Sequence, residues 1–192
     1  MGQILEWLSG GDLRSDGMSN EAADFVLKNP EMFDELFEGL SVSDDVIRGR
    51  TADALEKVSR KRPDILIGRL PKLLQVAKED HVPMVKMHLA MIFGHLAMYE
   101  ERLSELISTL LYLLDDVSVF TRSWAVVSLC IICRKYPEEC KQILERIEPI
   151  QRDQSIAMRT KARKAVDLLT NKNIPFPKGW IKSEHLQELG GE

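Results

Sequence analysis

Residues 116–129 read DVSVFTRSWAVVSL: an acid, a basic residue six positions later, and then a run of small and apolar residues. The same frame returns along the chain at intervals of 38, 36 and 37 residues, marked by the basic residues Arg48, Lys86, Arg122 and Arg159. A fixed period in this range is typical of a solenoid, in which each unit buries its apolar face against its neighbours. The sequence is therefore interpreted as a tandem repeat.

The second helix of each unit opens on a proline followed by an acid, a combination suited to a helix N-terminus. This pattern occurs at Pro30, Pro63 and Pro137, whereas the third unit has Glu100 and Glu101 at the same place. Apolar residues at helical spacing predict second helices over 30–40, 63–79, 101–114 and 138–150, and a last helix over 156–170. Pro71 and Pro149 predict a kink or an early stop in two of these helices.

Acids in the turns before the basic residues complete the pattern: Asp44 or Asp45, Asp80, Asp116 and Asp153. With the prolines between paired helices, this arrangement resembles HEAT or HEAT-like (armadillo-type) repeats. The resemblance implies an all-α, right-handed α-α superhelix of about four helix pairs plus a terminal helix. It divides residues 1–172 into an atypical capping repeat (18–42), repeats at 43–79, 80–115 and 116–152, and a terminal helix at 155–171, followed by a proline-containing tail at 173–192.

The recurrent acids and basic residues suit a structural role. In stacked helix pairs, a turn carboxylate accepts hydrogen bonds from the neighbouring repeat's cation and from free amides at a helix N-terminus. We therefore expect a ladder of ion pairs along the repeats. The alternative is a row of free cations available to a polyanion.

Composition indicates one helical body with a polar surface. The 192 residues are 44% hydrophobic and 29% charged, with a formal net charge of −4 and no apolar run long enough to predict a membrane span. The N-terminus lacks a basic segment followed by an apolar stretch and a cleavage site. We therefore expect a cytoplasmic protein that does not contact membranes.

Repeats of this kind serve as scaffolds, transport receptors and assembly factors, and the resemblance implies a non-enzymatic protein–protein interaction scaffold whose partner is not identified by the sequence. Its groove is expected along the solvent-facing side of the second helices. Helical spacing places these residues there: Arg69, Lys72, Gln75, Ser104, Ser108, Tyr112, Lys141, Gln142, Glu145 and Arg146. Tyr112 is the predicted anchor, because an aromatic ring with a polar tip suits a binding surface; a partly buried packing role is the alternative.

Charge is distributed unevenly along the chain. Residues 1–45 hold 11 acids against 2 basic residues, whereas residues 151–182 hold 8 basic residues against 2 acids. A nucleic-acid-binding module through the basic C-terminal helix and tail is therefore an alternative function, with this possible polyanion-binding set: Arg159, Lys161, Arg163 and Lys164. Self-association of the acidic end with the basic end is another possibility, and the tail is a possible cap on the last repeat through Phe176 and Trp180.

The positions of the cysteines and histidines predict no metal or catalytic site, and no cofactor is expected. Cys130 and Cys133 lie within an apolar helical run, which favours buried reduced thiols over zinc ligands. His81, His88 and His95 recur every seven residues, about 10 Å apart along a helix, which is too far to share one ion. A remote third function is a DNA glycosylase built on HEAT-like repeats, in which Trp124 with Asp115 or Asp116 would imitate the site.

Overall fold

The computed structural model describes residues 2–190, and these residues contain α- and 3-10 helices but no β-strand. The α-helices in chain order are α1 (Gln3–Leu8), α2 (Ser19–Lys28), α3 (Phe33–Glu38), α4 (Asp45–Lys61), α5 (Pro63–Ile67), α6 (Leu70–Glu79), α7 (Pro83–His95), α8 (Leu103–Leu113), α9 (Val119–Lys135), α10 (Cys140–Ile147) and α11 (Ile156–Thr170). A 3-10 helix, Glu184–Gly190, ends the described chain. The prediction of an all-helical protein is confirmed.

The predicted second helices exist, and prolines interrupt two of them as expected. The second helix of the second unit is split into α5 and α6 at Gly68 and Arg69, with Pro71 in the first turn of α6. In the fourth unit, α10 ends before Pro149, and the 3-10 helix Glu148–Arg152 follows. Both breaks lie where proline lacks the amide that a helix interior requires.

The helices form two sets that the chain visits alternately. The first-helix layer consists of α2, α4, α7, α9 and α11, each in contact with the next in chain order. The second-helix layer consists of α3, α5, α6, α8 and α10; α6 packs on α7, α8 on α9, and α10 on both α9 and α11. Each unit therefore buries its apolar residues against its neighbours.

The small and apolar positions that recur in each repeat lie where neighbouring helices of the first-helix layer pack together. In α4, α7 and α9, all its positions are buried: Thr51, Ala52, Ala54, Leu55, Leu89, Ala90, Ile92, Phe93, Ala125, Val126, Ser128 and Leu129. Helices α7 and α9 approach closely at Gly94, where an added Cβ would lie 2.5 Å from the Ser128 Oγ. The exception in α11, Arg163, is exposed, because α11 is the last helix of the layer.

The N-terminal segment is fastened to α4 by one buried arginine. The Arg50 guanidinium donates hydrogen bonds to five backbone carbonyls, of Leu8, Ser9, Gly10, Asp12 and Ser15, at 2.8–3.2 Å. Gly10, Gly11 and Gly17 in this loop have positive φ, and a Cβ at Gly17 would lie 2.7 Å from that guanidinium. Neither helix α1, which contacts α2, α3 and α4, nor this clamp was predicted from the sequence.

The C-terminal tail, residues 171–190, packs back onto the first-helix layer. Arg134 of α9 donates to the carbonyls of Lys172 and Ile174 at 3.0 Å each, and its guanidinium stacks over the Phe176 ring. Phe176 and Trp180 are buried, as the cap interpretation predicts.

The tail also extends beyond the last repeat. Leu186 is fully buried, and the 3-10 helix Glu184–Gly190 contacts both α9 and α4. A ring nitrogen of His185 lies 2.8 Å from the Lys61 carbonyl oxygen at the end of α4. Met1, Gly191 and Glu192, which belong to the predicted solenoid and tail, lie outside the described residues.

Candidate interaction surfaces

The turn acids and the basic residues pair from one repeat to the next. Arg48 donates to the Asp80 carboxylate at 2.8 Å, Lys86 to Asp116 at 2.9 Å, and Arg122 to Asp153. This confirms the predicted ladder.

The same carboxylates also hold the next turn. The other oxygen of each acid accepts from a backbone amide two residues later, at Val82, Ser118 and Ser155, at 2.7–2.8 Å. The hydrogen bond from Arg122 lowers the pKa of the Asp153 carboxyl below its ordinary value. These cations are therefore engaged in structure and are not a free row for a polyanion.

The ten residues predicted to line the second-helix groove are all exposed, in agreement with their helical spacing. Two of them link successive units: Arg69 pairs with Asp34 at 2.5 Å, and Arg146 pairs with Asp115 at 2.9 Å. The others present amide, hydroxyl, ammonium and carboxylate groups along α6, α8 and α10. The exposed residues of these three helices are thus mostly polar.

Tyr112 is the large aromatic residue of this surface. It lies near the end of α8 with 51% of its surface exposed. Ser108, one turn earlier on the same face, is also exposed, and its hydroxyl donates to the backbone carbonyl of Glu105. About half of the tyrosine surface is therefore available for contact.

The four basic residues predicted as a polyanion site do not form one surface. Arg159 folds onto the carbonyls of Asp153 and Gln154 at 2.8 and 3.0 Å, where it ends the ladder. Lys161 is half-buried, with its ammonium 4.7 Å from the centre of the Trp180 ring. Only Arg163 and Lys164 are exposed. This arrangement offers two free cations at the end of the first-helix layer rather than four.

Cys130 and Cys133 are buried and free, as predicted, and Cys140 is half-buried. Burial raises the pKa of the Cys130 and Cys133 thiols above the ordinary range. A neutral, inaccessible thiol is a poor nucleophile and a poor metal ligand. The described residues, 2–190, contain no group of three or more histidine, cysteine or carboxylate side chains arranged to hold a metal ion.

The three histidines, one before α7 and two within it, contact separate acids of α4. His81 is exposed beside Asp45, whereas the buried His88 lies 3.3 Å from Asp53. Asp53 also accepts hydrogen bonds from Ser19 and Lys57, so that the network joins α2, α4 and α7. The seven-residue spacing therefore distributes the histidines over three different contacts.

A serine, a histidine and a carboxylate meet between α4 and α7, a cluster that the sequence analysis missed. The Ser59 hydroxyl lies 2.7 Å from His95 Nδ1, and His95 Nε2 lies 3.7 Å from the Glu56 carboxylate. All three side chains are buried, and Glu56 is held by a bidentate hydrogen bond from Arg60. Because nothing reaches the serine from solvent, the cluster joins two helices rather than forming a hydrolytic triad. Ser59 and His95 are one repeat period apart, a signal that would have revealed the pair.

Each residue of the pairing proposed for a glycosylase-like site has other partners. Asp115 is bound by Arg146 and Asp116 by Lys86, while the Trp124 ring is covered by the ammonium groups of Lys161 and Lys182. Both carboxylates are therefore engaged elsewhere. This geometry gives the tryptophan a packing role beside two lysines.

Comparison with known proteins does not assign the chain to a family. No protein-family model matches the sequence, and no curated protein matches it significantly. Among residues 2–190, no helix has the length and apolar character needed to cross a membrane.

Proposed function

We propose that the chain is a non-enzymatic protein–protein interaction scaffold, built as a right-handed HEAT-like superhelix, that binds a partner protein along its second-helix layer. The observation that carries this proposal is the exposure of all ten predicted residues on three successive units, with Tyr112 among them. Stacked helix pairs curve so that one layer lines the inner side, which turns such a row into an extended groove.

The arrangement around Tyr112 suits an anchor for a bound segment. Interface energy is concentrated in a few residues, with tyrosine and arginine enriched among them. Tyr112 of α8 and Arg146 of α10 lie on neighbouring units, and Arg146 pairs with Asp115, which follows α8 by two residues. An aromatic ring and a guanidinium on neighbouring units suit contact with a polar or acidic segment.

Two features support a binding role over catalysis. The groups able to act as nucleophiles with a neighbouring base, Ser59 beside His95, are buried, and so are the thiols of Cys130 and Cys133. The exposed second-helix layer is made of separate polar side chains and short ion pairs. The free state of the three cysteines agrees with a cytoplasmic location, where thiols stay reduced.

The test is affinity purification with three forms of the chain, followed by direct binding with purified partner. We expect a partner that is retained by the wild type and by Val117→Ser, and lost with Tyr112→Ala combined with Arg146→Glu. Nuclease treatment is run in parallel. A partner retained by the double variant, or one that disappears with nuclease, contradicts the proposal, and the second result moves function to Arg163 and Lys164.

A further inference from the structure

The first-helix layer carries an apolar groove that the second-helix surface does not share. A cavity of about 400 Å³ opens between the N-terminal loop and the first turns of α7 and α9. Its lining is almost wholly apolar and consists of Leu13, Pro83, Met84, Met87, Ser118 and Phe120. The Phe120 ring is 71% exposed, an unusual state for a large aromatic side chain in a helix.

Two segments of the chain fold onto the layer that carries the groove. The loop fastened by Arg50 places Leu13 beside Gly49 of α4 and Met84 of α7. The tail buries Leu186, and its 3-10 helix Glu184–Gly190 contacts α9 and α4. The first-helix layer thus already binds two segments of its own chain through apolar side chains, while the groove beside Phe120 stays open.

The part of α9 next to the groove carries two positively charged neighbours. Trp124 follows Phe120 by four residues, so the two rings share one face of α9. Lys182 of the tail lies 4.7 Å from the centre of the Trp124 ring, and Lys161 lies 5.9 Å from it. Within residues 2–190, neither ammonium has a carboxylate oxygen within 4.0 Å.

Half-burial disfavours the charged form of both lysines. Desolvation lowers the pKa of Lys161 and of Lys182 below the ordinary value, and for Lys182 it outweighs the attraction of the Glu56 and Asp53 carboxylates. An arriving carboxylate would supply a direct ion-pair partner in a site that is already partly desolvated, where an ion pair is stronger than in water.

We propose that this groove is a second docking site, distinct from the second-helix surface, for an amphipathic acidic segment of a partner protein. Leucine- or phenylalanine-type side chains of the segment fill the cavity against Met84, Met87 and Phe120, and an aspartate or glutamate about one helical turn away pairs with Lys182 and Lys161. The two methionines suit this role because their flexible thioether side chains adapt to different apolar shapes.

The experiment titrates the full chain, labelled with ¹³C at the methionine methyl groups, with two blocked synthetic peptides. Both carry leucines at i, i+3, i+4 and i+7; the remaining positions are glutamate in one peptide and lysine in the other. We expect the Met84 and Met87 signals to shift with the glutamate peptide, while the signal of the fully buried Met158 stays in place. The chain has a net charge of −4, so non-specific attraction would favour the lysine peptide instead.

Three variants locate the contacts. Phe120→Ser removes an exposed ring without opening the core and is expected to abolish the shifts. Lys182→Gln and Lys161→Gln each keep most of the side chain and are expected to weaken binding about tenfold, the effect of one charge-assisted contact. Val117→Ser, at a 96% exposed residue outside the groove lining, is the matched control and is expected to bind like the wild type.

Several results would overturn the proposal. Unchanged Met84 and Met87 signals exclude the groove, and equal shifts with both peptides exclude the carboxylate contact. Full affinity in both lysine variants has the same consequence. If these signals shift when the protein alone is concentrated, and the measured mass doubles, the occupant is a second copy of this chain. Loss of the second-helix partner with Tyr112→Ala has no bearing on these shifts, so the two proposals fail independently.

Discussion

The two helix layers of this molecule differ in how much of each helix is covered. Ten of the 17 residues of α9 are buried, whereas α10 buries only two of its eight residues. Helix α9 has neighbours on both sides in its own layer, the second-helix layer beneath and the tail above, while α10 leaves one face open. The sequence of α9 is accordingly apolar on nearly all sides, and that of α10 is amphipathic.

This difference shows where the terminal segments act. The N-terminal loop and the C-terminal tail both contact the first-helix layer, while the ten polar residues of the second-helix surface stay exposed. Because these terminal segments contact the first-helix layer, we expect the stability of that layer to depend on them.

Truncation after Asn171 is expected to have the largest effect. It removes Phe176, Trp180 and Leu186, and burial of a large apolar side chain contributes about 1.5–3 kcal/mol. We expect the free energy of unfolding to fall by about 5 kcal/mol, measured by urea denaturation followed by circular dichroism. Leu186→Ala, expected to cost about 2–5 kcal/mol, replaces the truncation if the shortened chain does not fold. An unchanged unfolding midpoint in both would contradict a stabilising tail.

Replacement of Arg50 is expected to have the next largest effect on the stability of the first-helix layer. Arg50→Met keeps the apolar stem but leaves five carbonyls without their donor, and we expect a loss of about 3–4 kcal/mol. Limited proteolysis should then cut between residues 9 and 17 before the helices. The control is Arg14→Met in the same loop, because Arg14 is 90% exposed and its pair with Asp12 is screened by solvent. Equal losses in the two variants would argue against the clamp.

The sequence allowed prediction of those parts that repeat. Each unit places the same kind of residue at the same position, so the period identified the buried frame around Ala90 and Ala125 and the ladder from Arg48 to Asp153. Helix boundaries followed from the prolines and from the apolar spacing. The exposure of Tyr112 and its neighbours followed from the same spacing.

Contacts that occur once could not be predicted in this way. Arg50 contacts carbonyls about 35–42 residues earlier, and His185 contacts Lys61 across 124 residues. Neither pair has a counterpart in another unit, and both depend on how loops fold onto a finished layer. The groove at Phe120 has the same origin, because its walls come from the loop as well as from α7 and α9.

The pH dependence of stability tests the buried contact between α4 and α7. Burial lowers the pKa of His95 to about 4 from its ordinary 6.5. Between these values the unfolded chain binds a proton that the folded chain does not, so stability falls as the pH drops from 6.5 to 4, by about 3 kcal/mol in all.

Urea midpoints measured at a series of pH values check this expectation, with His95→Gln as the comparison. Burial also lowers the pKa of His88, which therefore contributes in the same direction and remains in the variant. The pKa of Asp53 is lowered below 3.8, so its effect appears only at more acid pH. We expect a shallower pH dependence in His95→Gln. An identical slope would show that His95 does not titrate as its burial requires.

The smallest expected losses of stability come from breaking single ion pairs, one in each layer. Lys86 and Asp116 form a ladder rung whose side chains are 15% and 6% exposed, whereas Arg146 and Asp115 on the second-helix surface are 47% and 76% exposed. Lys86→Gln leaves a largely buried carboxylate with a backbone amide as its remaining donor, and we expect a loss of about 1–2 kcal/mol. Arg146→Gln leaves two hydrated groups, so its cost is expected to stay below about 0.5 kcal/mol. Both losses are measured by urea denaturation at low and high salt, and only the Arg146 effect should vanish at high salt, because screening acts mainly on exposed charges. Equal costs for the two variants would mean that the ladder contributes no more to the first-helix layer than a surface pair does.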